Sequence, residues 1–216
     1  MLMTISSNRR EIQLKGNQIE FESFRTLAGE IDLTPYTRSE REVLARIIHS
    51  CADPSMANSI CYKPTSIAAA ITLVQNDAVI ITDTEMVRHA LYSQNTKCAL
   101  NQVVSAPNGK TRTQHAMEIA AKEHPIGTVF VIGCAPTALF SIIELANTGE
   151  IEPGAIIALP VGYVGAARSK ELLCETPYEY ITNRGPRGGS AITAAAFNAI
   201  ARMAAGQYSF EAATTP

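Results

Sequence analysis

A surplus of basic charge, a long apolar run and a paired-cysteine motif are all missing from this sequence, and each absence removes a class of function. The formal net charge is −2, so there is no general electrostatic attraction to nucleic acid. The longest apolar stretches, such as AVIITD and GTVFVIG, fall well short of the roughly 20 residues that cross a bilayer as a helix. No membrane association is expected. The opening MLMTISSNRREIQLKGN is too polar for a secretion signal, which leads to the expectation of a cytoplasmic protein. Cys51, Cys61, Cys98, Cys134 and Cys174 form an odd, widely spaced set without a C-x-x-C pair, and they read as reduced, mostly buried thiols. The only close His/Cys pair is His49 with Cys51. Two apart on a helix they point in different directions, so no metal site is expected.

The common phosphate-binding signatures are absent as well. VIGCAPT carries a single glycine where a G-x-G-x-x-G would bring backbone onto a pyrophosphate, and no G-x-x-x-x-G-K-[ST] occurs. No G-x-S-x-G elbow is present, which argues against an α/β-hydrolase. There is no repeat, low-complexity tract or linker. With 216 residues and 46% hydrophobic content, the chain reads as one domain over 1–216, with 207–216 expected as a loose tail.

Periodicity supplies the rest. NQIEFESFRTLAGEIDL has helical spacing, and a second helix starts near TPYTRSEREV, capped by Thr37 with Glu40 or by Ser39 with Glu42. Pro54 ends it, because Asp53 is steered from the α region. KPTSIAAAITLVQN, EMVRHAL and TRTQHAMEIAAKEH are further helices, with strands expected at DAVIITD and CALNQVV. From residue 128 strands and helices alternate: TVFVIG, APTALFSIIELANTG, GAIIALP, AARSKELL, PYEYIT and SAITAAAFNAIARMAAG. Near-continuously apolar strands alternating with helices imply an α/β fold, its mostly parallel sheet covered on both faces.

His49 lies in the last turn of the second helix, roughly opposite the face of Val43, Leu44, Ile47, Ile48 and Cys51 and beside Glu42 and Arg46. It faces either water or a ligand. Ligands of open parallel sheets bind beyond the carboxyl ends of the strands. Four loops there draw attention: TDTEM, GCAPT, PVGYVG and NRGPRGGS. In the last, Gly185, Gly188 and Gly189 precede Ser190 at a helix start, with Arg184 and Arg187 close by. This is either an anion site or a tight turn. Asp83 and Glu85 are a possible carboxylate pair, or solvated or capping acids. Arg112 opens a helix, where its charge opposes the dipole unless an anion is bound. His89, His115 and His124 read as surface or structural residues.

Seven segments together resemble the precorrin-8X methylmutase family, also described as cobalt-precorrin-8 methylmutase, over Gly16 to Met203. They are GNQIEFESF, ARIIHSCAD, ITDTEMV, the TR of GKTRTQHA, IGCAPTALF, LPVGYVGAARSKELL and RGPRGGSAITAAAFNAIAR, in the family's order. The resemblance implies a Rossmann-like three-layer fold and a homodimer with corrinoid sites near the subunit interface. The implied reaction is migration of a methyl group from C11 to C12 of a corrin precursor, without a nucleotide cofactor. Cobalt enters only as part of the substrate. The family's catalytic histidine matches His49, its substrate-contacting arginine Arg112 and a helix serine Ser23. Asp83, Arg187, Gly188, Gly189 and Ser190 complete the expected substrate contacts. Departures from the family pattern fall at Glu20, where an aromatic residue is frequent, at Cys134, where asparagine is usual, and at Pro186. The rival readings are a corrinoid-binding paralogue without activity and a nucleotide-dependent Rossmann-like enzyme.

Overall fold

The computed structural model describes residues 16–107 and 109–214. A six-stranded sheet forms its centre, built from β1 (Ile60–Tyr62), β2 (Ile80–Thr82), β3 (Thr96–Cys98), β4 (Val129–Ile132), β5 (Ala155–Ala158) and β6 (Tyr180–Asn183), in the order β1-β6-β5-β4-β2-β3. All neighbours are parallel except β1, which runs antiparallel to β6. The inner strands are buried on both faces; β4 (VFVI) and β5 (AIIA) are unbroken apolar runs, while β2 and β6 end in the buried polar residues Thr82, Thr182 and Asn183.

Nine helices are described. They are α1 (Gly16–Glu30), α2 (Arg38–Cys51), α3 (Ser66–Gln75), α4 (Glu85–Ala90), α5 (Arg112–Glu123), α6 (Pro136–Asn147), α7 (Ala166–Cys174), α8 (Ser190–Ala204) and α9 (Ser209–Thr214). Alternate strand residues divide the core. Ile80, Val129, Val131 and Ile157 face α2, α3, α4 and α8, while Ile81, Phe130, Ile132 and Ile156 face α5, α6 and α7. This is the expected three-layer α/β arrangement. The small side chains of α8 (Ala194, Ala196, Ala199) let it lie close on the sheet.

A fourth, partial layer was not expected. α1 and α9 cover the outer side of α2, and Phe24, Leu27, Leu44, Ala45, Ile48, Phe210 and Ala213 form a separate apolar cluster there. Helix α2 is therefore buried on two sides, and Glu42 and Arg46, which share the polar face of its sequence, are covered. Glu42 accepts hydrogen bonds from the backbone N–H groups of Phe210 and Glu211, capping α9 (3.1 and 2.9 Å). Burial pushes its carboxyl up. That role removes Glu42 from the alternative cap, and Thr37 with Glu40 forms the capping box of α2.

Three expectations change. Residues 209–214 are not a loose tail but a helix whose Phe210 and Ala213 are buried, while 215–216 lie outside the described residues. The strand expected from Cys98 onward lies earlier, at Thr96–Cys98, because β2 offers a ladder of only three residues. Ala99–Gln102 then turns as a 3-10 helix that packs Ala99 against the α5 side of the core. β1 went unrecognised because it is three half-buried residues at an edge.

The chain reverses its winding between β2 and β4: β3 lies outside β2, while β5 and β6 extend the other way. In such a sheet that point opens a crevice at the strand ends. Here it is closed by the protein's own carboxylate, described next. Among the described residues no helix is long and apolar enough to cross a membrane.

Candidate active site

α1 and the last turn of α2 run side by side, joined by Phe24 and Ile48 in the outer cluster. Their packing brings Ser23 to His49, 26 residues on: Ser23 Oγ lies 2.7 Å from His49 Nδ1. The ring of Phe24 supports the imidazole from within, at a centroid distance of 5.4 Å. Helix α2 ends just beyond, at Ala52 in a left-handed conformation (φ 51°) followed by Asp53 and Pro54. His49 itself is exposed on the wall of a cleft of about 720 Å³ between α1, α2, the end of α4 and α8. The Ser23 contact occupies Nδ1, which leaves Nε2 for a ligand.

The cleft wall carries charge that sequence reading missed. Arg46, one turn before His49, lies 2.7 Å from Glu20 Oε1, and Arg202 of α8 lies 3.5 Å from Glu20 Oε2. The signal available was the i, i+3 spacing of Arg46 and His49. Asn198 also lines the cleft, but its amide is taken: it accepts from Tyr92 N–H and donates to the Ala90 carbonyl, both at 2.8 Å.

The loop before α8 flanks this cleft, since Ala191 and Ala194 at the start of the helix line it. Its glycines have packing reasons. A Cβ on Gly188 (φ 155°) would stand 2.1 Å from the Leu159 carbonyl oxygen, and the Gly189 N–H donates to that same oxygen at 2.8 Å. Buried Lys170 tethers the loop by donating to the Arg187 carbonyl (2.6 Å) and to Asn183 Oδ1 (3.0 Å), and burial pushes its ammonium down to about 8. The Arg187 guanidinium pairs with Asp53 and donates to Ser55 Oγ at 3.1 Å. Asp53 therefore points toward Arg187. The Ser55 hydroxyl, with its amide and Arg187, holds the Asp53 carboxyl below its usual range.

Ser190 Oγ meets Cys134 Sγ at 2.8 Å, and that sulfur lies 3.3 Å from Thr84 Oγ1, so the loops after β2, β4 and β6 converge on Cys134. Asp83 is the correction among the expected substrate contacts. It is fully buried, and Gly133, Cys134 and Ala135 donate their N–H groups to its carboxylate at 3.2, 2.7 and 2.8 Å. Burial pushes its carboxyl up while those donors pull it down. Its capping role ties β2 to the start of α6, in the crevice where an α/β sheet would otherwise hold a phosphate. Asp83 and Glu85 are not a working pair, because Glu85 turns to Arg88, His89 and Asn101.

Arg112 stands exposed at the start of α5, capped by Thr111, whose hydroxyl meets Thr137 of α6 at 2.8 Å. It belongs to the other helical layer and does not line the cleft. The structure thus joins Ser23 with His49, sets the Arg187–Ser190 loop beside them, and leaves Arg112 apart. His89, His115 and His124 sit in local contacts with Glu85, Glu118 and Lys97, outside the cleft. Among the described residues no group of three or more His, Cys, Asp or Glu could hold a metal ion.

Comparison with known proteins identifies the family. The family model described as precorrin-8X methylmutase matches residues 18–203. The precorrin-8X methylmutase of Sinorhizobium sp. is 35% identical over 199 residues, covering 87% of this chain and 94% of that protein. The cobalt-precorrin-8 methylmutase of Priestia megaterium is 33% identical over 220 residues, covering 97% of each. A crystal structure of precorrin-8X methyl mutase from Thermus thermophilus superposes with a TM-score of 0.78 at 28% identity, over 88% of this chain and 97% of that one. With the family match spanning nearly all of the described fold, including α1, α2 and the loops around His49, the chain belongs to the precorrin-8X methylmutase family.

Proposed function

We propose that this protein is an isomerase that moves a methyl group from C11 to C12 of precorrin-8X or cobalt-precorrin-8, giving hydrogenobyrinate or cobyrinate in cobalamin biosynthesis. The observation that carries the proposal is the Ser23–His49 pair on the wall of a cleft in a chain of this family. The methyl–C11 bond breaks, the methyl–C12 bond forms and the conjugated electrons relocate within the ring. The reaction is redox-neutral and needs no nucleotide or other resident cofactor, and cobalt takes part only as a component of the substrate. His49 lends a proton or hydrogen bond from Nε2 to a ring nitrogen near the migrating group and recovers it when the shift is complete. An imidazole suits this because it titrates near neutrality. Ser23 fixes the ring orientation through Nδ1.

The substrate bears several carboxylates, for which Arg187, Gly188, Gly189 and Ser190 offer donors beside the cleft and Arg112 a guanidinium on a separate surface. We read the working form as a cytoplasmic homodimer with sites near the interface, which would bring Arg112 of one copy within reach of a ring held by another. Supporting this, Met86, Val104, Tyr163 and Val164, in or beside the loops at the strand ends, are largely exposed and offer apolar surface for a second copy. The test is a single-turnover absorbance assay with precorrin-8X and cobalt-precorrin-8, comparing the intact protein with His49→Ala. Conversion by the first and not the second, with binding retained, is expected. Binding without rearrangement by both would replace the enzyme with a corrinoid-binding protein.

A further inference from the structure

Beyond the Ser23–His49 pair, the same cleft holds two guanidinium groups, Arg46 and Arg202, that share the Glu20 carboxylate. Arg46 is 8% exposed, and its Nη2 is buried against Glu20 Oε1 at 2.7 Å. Nε of Arg202 is buried without an acceptor. Its Nη1 reaches only long contacts, with Glu20 Oε2 at 3.5 Å and Ser209 Oγ at 3.4 Å. Buried polar donors are nearly always satisfied, so the Nε of Arg202 marks a place in this wall where an acceptor is missing.

The charge balance points the same way. Among the residues lining the cleft, two guanidinium cations face one carboxylate, Glu20, while Arg46 also acts on the carboxyl of Glu42 behind the wall. Both cations are held by aromatic faces, Arg46 over Phe24 and Arg202 over Tyr92, each at 5.3 Å. They are therefore fixed in place before any ligand arrives. The opening between them is lined by Ile19, Ala194 and Ala195, which suits a short alkyl chain ending in an anion.

We propose that Arg46 and Arg202 form a carboxylate-binding subsite, with Glu20 as the resident anion that an incoming carboxylate competes with for the two guanidinium groups. The identity of the ligand as a side chain of the corrin rests on the function proposed above; the subsite itself does not. A planar guanidinium donates two parallel hydrogen bonds to a carboxylate, and the Nε of Arg202 has no acceptor within the protein. The arrangement also predicts opposite signs for two substitutions. Removing the charge of Glu20 frees the cations and tightens binding; removing Arg202 weakens it.

Two probes applied to the full chain separate the subsite from the corrin reading. The first is propionate, followed by the side-chain Nε–H resonances of nitrogen-15 arginine, with the Arg202 signal assigned by its loss in Arg202→Lys. A saturable shift of that signal is expected, tighter in Glu20→Gln and absent with chloride at equal ionic strength. The second is an absorbance titration with cobyrinate and its fully methyl-esterified form. Cobyrinate affinity is expected to fall about tenfold in Arg202→Gln, the size of one charge-assisted hydrogen bond, and to rise in Glu20→Gln, with the ester indifferent to both. No propionate shift together with equal cobyrinate affinity in all forms would overturn the subsite and leave the corrin reading intact. A propionate shift without cobyrinate binding in any form would support the subsite and overturn the corrin reading.

Discussion

The ring of Phe210 meets the ring of Phe24 edge to face, with centroids 5.8 Å apart and planes at 83°. The same Phe24 ring lies 5.4 Å from His49. One buried phenyl group thus connects the C-terminal helix to the imidazole on the cleft wall, and Glu42 holds that helix in place by capping its first turn.

Phe210→Ala is therefore expected to act in two ways. Stability should drop by about 3 kcal/mol, the lower end for truncating a buried phenylalanine, because α9 packs at the edge of the fold. Methyl transfer should slow as well, since Phe24 loses its backing. Urea denaturation and single-turnover rates measure the two effects. A stability loss below about 1 kcal/mol would mean that α9 rests on the fold without supporting it.

Ser23→Ala removes the partner of His49 Nδ1 and leaves the imidazole in place. A positioned acid or base contributes about 10²–10⁴-fold, so loss of its orientation alone should lower kcat roughly tenfold, with little change in KM. Ser23→Thr keeps the hydroxyl and should restore most of the rate. Equal loss in both variants would point to packing of α1 in place of the hydrogen bond.

Two glycines of one loop should respond differently to alanine. At Gly188 the new Cβ would overlap the Leu159 carbonyl, so the loop must move, at a cost of more than about 3 kcal/mol. At Gly185 (φ 82°) the space is open and only the left-handed backbone is penalised, by about 1 kcal/mol. Chemical denaturation of the two variants settles the comparison, and similar values would count against the close approach.

Lys170 supplies a pH dependence whose sign follows from its burial. Its folded pKa is pushed down to about 8, below the ordinary lysine value of 10.5, so between these limits the unfolded chain holds a proton that the folded chain has released. Stability contributed by this group must rise with pH across that window and stay flat below it. The stability difference between the intact protein and Lys170→Met, followed from about pH 7 to about pH 10, isolates the term. A difference that falls above pH 8 would contradict the assignment.

The helices and inner strands were legible because each repeats an apolar pattern over a long enough stretch, as in VFVI of β4 or the alternating faces of α2. β1 was not, since three half-buried residues have no pattern of their own and form a strand only where β6 offers an edge. The loose-tail reading failed over 209–214 for a related reason. SFEAAT is too short to be a stable helix alone, and it exists because Glu42 caps it and Phe24 receives Phe210.

At the site, residue identity carried some information and partnership very little. His49 stood out from its helix by facing away from the apolar stripe, and the family resemblance singled out Ser23, but nothing in the order of residues joined the two. Asp83 read either as a substrate contact or as a solvated or capping acid, and its three amide partners, from a loop 50 residues away, make it a cap. Glu20, Arg46 and Arg202 lie on three helices, and nothing in the order of residues joined them. By itself the sequence determined the layered α/β class, the helix ends set by local caps and prolines, and the family. Only the tertiary structure decided which polar groups face one another. Capping and periodicity act over a few residues, whereas ion pairs and buried hydrogen bonds depend on how separate elements pack.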